Sequence, residues 1–197
     1  EEKHVQAKIF LKEASIGNIK GICNIKAKIN DQSAVTKDFT ISNELTLTAT
    51  ADKQTYNPQE NIAIRGTATK ANGKSVNGFV EMKVENTDIV TKAVVNSGNF
   101  LINFSFPANT KSQTYTIYLN IYEKDSSNLI TNIGTSNLQL SISQIPTSME
   151  ILIPDAQVMP GSQIKFTPIL YDQAGDKMKA QTTINIKNKE GVLVDMP

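Results

Sequence analysis

What this chain has little of narrows it first. Its 197 residues include one cysteine (Cys23), one histidine (His4), one arginine (Arg65) and no tryptophan. A lone cysteine excludes an internal disulfide framework. A lone histidine close to the first residue removes the usual base of a serine or cysteine nucleophile, and one His with one Cys is too few for a zinc site. Arg65 is the single guanidinium among 20 Lys and Arg, and the net charge is +1. Phosphate and base recognition favour the planar fork of arginine and a strong positive field, so nucleic acid is excluded as an expected partner. No stretch approaches the ~18 apolar residues that a membrane span needs. The opening Glu1-Glu2-Lys3-His4 has neither an initiator methionine nor the apolar region of a signal peptide, so the chain is expected to be a processed or excised piece.

What is present is alternation. With 39% hydrophobic and 6% aromatic residues there is enough apolar surface for modest cores. Apolar residues recur with period two, which puts one face of each segment in a core and the other in water. Leu45-Leu47-Ala49, Val80-Met82-Val84, Phe100-Ile102-Phe104-Phe106, Tyr115-Ile117-Leu119-Ile121 and Leu138-Leu140-Ile142 each alternate with polar residues. Ile62-Ile64 and a short segment near Ile89–Val94 bring the expected strands to seven. Phe104, Ile117, Leu119 and Leu140 sit at the centres of their runs and are the expected core. Asn57-Pro58, Asn72-Gly73, Asn77-Gly78, Asn96-Ser97-Gly98 and Asp125-Ser126-Ser127-Asn128 supply the turn chemistry between runs.

The chain also repeats itself. Tyr56-Asn57-Pro58-Gln59-Glu60-Asn61-Ile62 aligns with Val158-Met159-Pro160-Gly161-Ser162-Gln163-Ile164, a shift of 160 − 58 = 102. Phe39-Thr40-Ile41-Ser42-Asn43 aligns with Ile133-Gly134-Thr135-Ser136-Asn137, a shift of 133 − 39 = 94. A period of about a hundred residues is that of a domain and not of a solenoid. Residues 1–44 read as the second half of one unit, 45–144 as a complete unit and 145–197 as the first half of another. The opening unit's strands are expected at Ile9–Leu11, Cys23–Ile29 and Val35–Ile41, with a hairpin at Asn30-Asp31-Gln32-Ser33 and Cys23 facing inward. The closing unit's are expected at Ile151–Ile153, Ile164–Leu170, Ile184–Ile186 and Val192–Val194. Ser143-Gln144-Ile145-Pro146-Thr147 is the connector, stiffened by Pro146.

Seven short strands in about a hundred residues, with turn signals every eight to twelve, predict an all-β chain of tandem immunoglobulin-like sandwiches, the first and last incomplete. The run Leu45 to Gly66, with Tyr56-Asn57-Pro58-Gln59-Glu60 after a first strand and an alternating strand ending in glycine, resembles macroglobulin-type and prokaryotic immunoglobulin-like repeats. There the pattern is Tyr-x-Pro-Gly-Glu; Gln59 replaces the glycine, and the closing unit keeps Pro160-Gly161 but has Val158 and Ser162. The resemblance implies an extracellular or cell-surface setting, in surface-layer subunits, adhesins or shafts of secreted proteins. It implies as partners neighbouring domains of the same chain or neighbouring copies.

Few residues suggest chemistry. Glu81 and Glu85 lie about 13 Å apart on an extended strand, too far for a glycosidase pair. Asp172-Gln173-Ala174-Gly175-Asp176 brings two carboxylates around a turn, which makes Asp172 and Asp176 candidate calcium ligands; turn-forming aspartate is the plainer reading. Tyr118 and Tyr122 fall on the outward parity of their strand with Asn120 between them, a candidate sugar- or protein-binding face. Asn103-Phe104-Ser105 is an Asn-x-Ser acceptor with Asn103 facing outward, a candidate glycosylation site. No catalytic constellation emerges and no cofactor beyond calcium is suggested. The expected role is a structural or interaction segment; the alternatives are an adhesin or glycan-recognition module using an outer strand face, and a macroglobulin-like shaft, whose thioester Cys-Gly-Glu-Gln is not in these residues.

Overall fold

The structure, a computed structural model, describes residues 19–154, 157–159, 161–181, 183, 185–187 and 189–191. Among these residues there are strands and turns and no helix. In chain order the strands are β1 Gly21–Cys23, β2 Lys26–Ile29, β3 Gln32–Val35, β4 Phe39–Ile41, β5 Leu45–Ala51, β6 Thr55–Tyr56, β7 Ile62–Lys70 and β8 Gly78–Val84. Then come β9 Val90–Val95, β10 Asn99–Phe104, β11 Thr114–Lys124, β12 Ile130–Ile142, β13 Pro146–Leu152, β14 Thr167–Asp172 and β15 Lys177–Met178. They fall into two compact units. One holds the described residues of Glu1–Gln54 with Asn61–Phe104 and Tyr115–Leu140; the other holds Thr55–Glu60, Ser105–Thr114 and the described residues of Ser141–Pro197.

The first unit is a β-sandwich. One sheet has the order β10-β7-β5, and the other is β6-β12-β11-β8-β9, whose β6 pairs with the end of β12 that belongs to the second unit. β10 with β7, β7 with β5, β11 with β8 and β8 with β9 pair antiparallel, and β6 with β12 pairs parallel. Alternation explains the sandwich directly: Ile62, Ile64, Val80, Met82, Val84, Ile117 and Ile121 are all at 0% exposure, while Arg65, Glu81, Lys83, Tyr118 and Asn120 between them are exposed. Phe104, Leu119 and Leu140 are buried as expected. Full burial of each such side chain is worth about 1.5–3 kcal/mol. Gly66 lies opposite both Ala49 and Phe100, and a Cβ there would overlap the Phe100 ring and the Thr48 carbonyl. A side chain at position 66 would therefore push the Phe100 ring out of its place across β7.

The alternation fails at one expected place. Tyr122 has outward parity, yet it is 7% exposed. The Phe79 ring lies 5.9 Å away centroid to centroid, and the ammonium of Lys92 stands over both rings, 4.6 Å from Phe79 and 5.2 Å from Tyr122. An outward residue becomes buried when its cross-strand neighbours are long enough to cover it.

The opening segment is a hairpin broken in two. β1 pairs with β4 and β2 with β3, and the turn is the two residues Asn30 and Asp31, with Asn30 at φ +51°. Gln32 and Ser33, expected in the loop, are strand residues. Cys23 is half-buried and not the enclosed apolar side chain that its parity suggested. Its neighbours Ile22 and Ile29 are 78% and 75% exposed, since no second sheet lies over this hairpin among the described residues. The expected strand at Ile9–Leu11 lies outside the described residues.

In the second unit Tyr56, Phe106 and Ile142 are buried together with Asp172. From Ser148 onward the sheet β13-β14-β15 reproduces the pairing of β5 and β7 at a shift of 102, with an irregularity between Pro146 and Ser148 that β5 lacks. Leu47 faces Ala68 and Met149 faces Leu170; Ala49 faces Gly66 and Ile151 faces Pro168; Thr50 faces Arg65 and Leu152 faces Thr167. The bridge from Thr69 to Ser75 returns as Tyr171 to Lys177. The turns repeat too: Gly73 and Gly175 have φ +78° and +80°, and Gln59 and Gly161 have φ +64° and +82°. Gln59 thus takes up the left-handed conformation that the sequence pattern reserves for glycine. Pro168 is tolerated opposite Ile151 because the amide of Ala68 points to Gly98 on the β10 side, and residues two apart on a strand share that direction. The closing unit's first strand starts earlier than expected, at Pro146, which shortens the connector to 143–145. Its second starts later, at Thr167. Asn185 and Ile186 are not in a strand, while Ile184 and Val192–Val194 lie outside the described residues.

Candidate functional site

The outer face of β8, β9 and β11 is built from cross-strand rows. Tyr118 lies beside Lys83, Asn120 beside Glu81 and Tyr122 beside Phe79; on the far side Lys83 meets Val90, Glu81 meets Lys92 and Phe79 meets Val94. Tyr118 is 46% exposed and its hydroxyl donates to Glu85 Oε1 at 3.1 Å. That hydrogen bond, then the charge of Glu85 and then slight burial, hold the phenol protonated above the usual tyrosine range. Asn120 is exposed beside it. Of the expected face, Tyr118 and Asn120 are therefore exposed, whereas Tyr122 is spent on packing against Phe79 and on the ammonium groups of Lys92 and Lys124.

Below that covered edge lies a carboxylate network. Glu123 is 7% exposed, and its oxygens accept from the amide of Asn77 at 2.9 Å and the Nδ2 of Asn132 at 2.8 Å and meet Lys70 Nζ at 2.9 Å. Every polar contact there is internal, so Glu123 joins β11 to the turn before β8 and to the end of β7. It is a structural tie; buried carboxylates persist where their lone pairs are matched.

Asp172 and Asp176 meet different fates. Asp172 Oδ1 accepts from the amides of Ala174 and Asp176, both at 2.9 Å, and its Oδ2 accepts from Gln144 Nε2 at 2.9 Å. The bond from Gln144 above all, helped by the two amides and the charge of Lys111 and opposed by burial, holds this carboxyl below the usual carboxylate range. The interaction stabilises the fold at pH values above the free carboxyl's pKa of about 3.9 and is lost as pH falls through the lower folded value. Asp176 faces Lys111 at 3.7 Å. Three N–H donors occupy the oxygens of Asp172 that a calcium ion would need, and among the described residues no group of three or more His, Cys, Asp or Glu stands where it could hold a metal. The adjacent Gln173 donates to the carbonyls of Thr110 and Ser143, both at 3.0 Å, and accepts from the amide of Ile145 at 2.8 Å. The turn 172–176 is thereby fastened to the connector.

Asn103 is exposed on β10 opposite Ala63, with its neighbours Ile102 and Phe104 buried. In the next ladder row on the same outer face begins a feature that the sequence did not single out as a site. A groove of about 760 Å³ is lined by Thr48, Thr50, Arg65, Thr67, Asn96, Asn99 and their neighbours. The one available signal was that arginine occurs once in a chain otherwise rich in lysine.

No protein-family model matches the chain, and no curated protein matches it. Among solved structures it is similar to Spo0M, the sporulation control protein of Bacillus subtilis, at 8% identity over 66% of this chain and 68% of that one, with a TM-score of 0.34. A likeness that weak carries neither fold nor function across. Among the described residues no helix is long and apolar enough to cross a membrane.

Proposed function

We propose that this chain is a structural and interaction segment of an extracellular, multi-domain surface protein, made of tandem immunoglobulin-like sandwiches that act by spacing and contact and not by catalysis. The observation that carries the reading is the recurrence, 102 residues on, of one pairing register, one set of turns and one bridge. A register depends on alternation and turn chemistry together, so its recurrence supports duplication of a whole domain. The two sheets, β10-β7-β5 and β6-β12-β11-β8-β9, agree with a sandwich of mostly antiparallel strands. Partners in this reading are neighbouring domains of the same chain or of neighbouring copies, and a glycan on exposed Asn103 suits a surface setting.

Antibodies raised against residues 45–144 provide the test. Labelling of intact cells of the source organism, lost after brief surface proteolysis, is expected. Labelling seen only after permeabilisation overturns the reading.

A further inference from the structure

The groove on the outer face of β5-β7-β10 combines three properties. Arg65 lies in it with Thr50 on one side and Leu101 on the other, and in the next ladder row Thr67 lies between Thr48 and Asn99. Arg65 is exposed and, among the described residues, no carboxylate lies within ion-pair distance of its guanidinium. The neutral polar groups retain capacity: Thr48 and Thr67 share one hydrogen bond of 2.8 Å, which leaves a second hydroxyl proton and several lone pairs unspent, and Asn99 gives one N–H to Ser97 and keeps its carbonyl. Leu101, 41% exposed, and Val94, 65% exposed, add apolar contact at the rim.

We infer that this groove binds a carboxylate-bearing saccharide, a uronic acid unit within a polysaccharide, with Arg65 forked onto the carboxylate. Arginine presents parallel N–H donors that match the two oxygens of a carboxylate, and the Thr and Asn side chains pair with ring hydroxyls, which donate and accept as they do. The aliphatic rim suits the C–H face of a pyranose. Rows about 6.8 Å apart on strands about 4.8 Å apart give the patch the dimensions of a sugar unit. One cation amid neutral hydrogen-bonding groups argues against the other anionic polymers. Nucleic-acid affinity comes chiefly from several cations neutralising successive phosphates, whereas a uronic acid unit surrounds its one carboxylate with hydroxyls that the Thr and Asn side chains can pair with; an acidic peptide would add to the open edge of β5 and not to the face of the sheet. This inference stands apart from the surface-segment reading, since the groove belongs to the first unit alone.

The test titrates the whole chain with tetragalacturonate and follows the amide resonances of Arg65, Thr67, Asn99 and Leu101. Saturable shifts there are expected, with R65Q weakening binding about tenfold and R65K falling between, because the charge remains and the fork does not. Lys26→Gln, the same change of charge on β2, is expected to bind as the wild type does. The fully methyl-esterified tetramer, which lacks the charge, is expected to bind about tenfold more weakly. Unchanged resonances elsewhere in R65Q show that the sandwich is intact. The inference is overturned by no shift at the solubility limit of the tetramer, by equal binding of R65Q, by equal binding of the ester, or by tetraglutamate binding as tightly as the uronate.

Discussion

β5 with β7 and β13 with β14 are one design in two settings. From Ser148 onward their pairing registers coincide at a shift of 102, as do their turn glycines, yet their burial differs. Ile62 and Ile64 are at 0% exposure within β7, while the equivalent Ile164 and Phe166, which precede β14, are 44% and 36% exposed, and Met149 and Ile151 of β13 about half exposed at 51% and 50%. Local structure is therefore insensitive to what covers the sheet. Hydrogen-bond ladders and left-handed turns are satisfied by the strands themselves. Burial needs a second layer, which the first pair receives from β11, β8 and their neighbours.

The largest difference between the two settings should appear on truncating equivalent side chains. Ile64→Ala is expected to cost about 2–5 kcal/mol, and Phe166→Ala less than about 1 kcal/mol despite removing more atoms. Urea denaturation followed by tyrosine fluorescence measures both. Equal losses would show that the β13-β14 face is covered in solution and would break the comparison.

Turn substitutions should have equal effects, because the turns are alike. Gly73 and Gly175 sit at φ +78° and +80° with nothing within 4 Å of where a Cβ would be, so the cost of alanine is in the backbone alone. Gly73→Ala and Gly175→Ala are each expected to lose about 1–2 kcal/mol. If the thermal melts of the two variants differ by more than twofold in cost, the turns are supported by contacts beyond their own residues.

The smallest effect is spectroscopic and sharpens the comparison at a single hydrogen bond. Tyr171 donates to Glu150 at 3.2 Å much as Tyr118 does to Glu85. Both phenols are held above their usual range, Tyr171 first by burial and then by Glu150, Tyr118 first by the bond to Glu85. The folded value being raised, each pair contributes stability that is whole below the free phenol's value of about 10 and is lost as pH rises through the folded one. In an absorbance titration, Glu85→Gln should return Tyr118 nearer to the free value than Glu150→Gln returns Tyr171. The reverse order would mean that burial and not the carboxylate governs Tyr118.

Much of the fold was readable in advance. Parity placed Phe104, Ile117, Leu119 and Leu140 in the core, where they lie, because a period of two leaves a strand residue only two directions. It could not say that Tyr122 would be covered, since that depends on Phe79 lying directly across the ladder from it and on Lys92 and Lys124 reaching over the ring. Nor could it enclose Cys23, whose inward direction has no sheet to face among the described residues. Asp172 and Asp176 looked like a pair of carboxylates and prove unlike, one turned onto backbone amides and the other toward Lys111.

By itself the sequence determined the all-β character, the positions of the turns and the repeat at a shift of 102, because alternation and backbone angles are properties of neighbouring residues. Only the tertiary structure decided which apolar faces are buried and that Arg65, Thr48, Thr67 and Asn99 stand in two adjacent rows around one groove. Those residues come from three strands separated by tens of positions in the chain, and their proximity exists only once the ladder is formed.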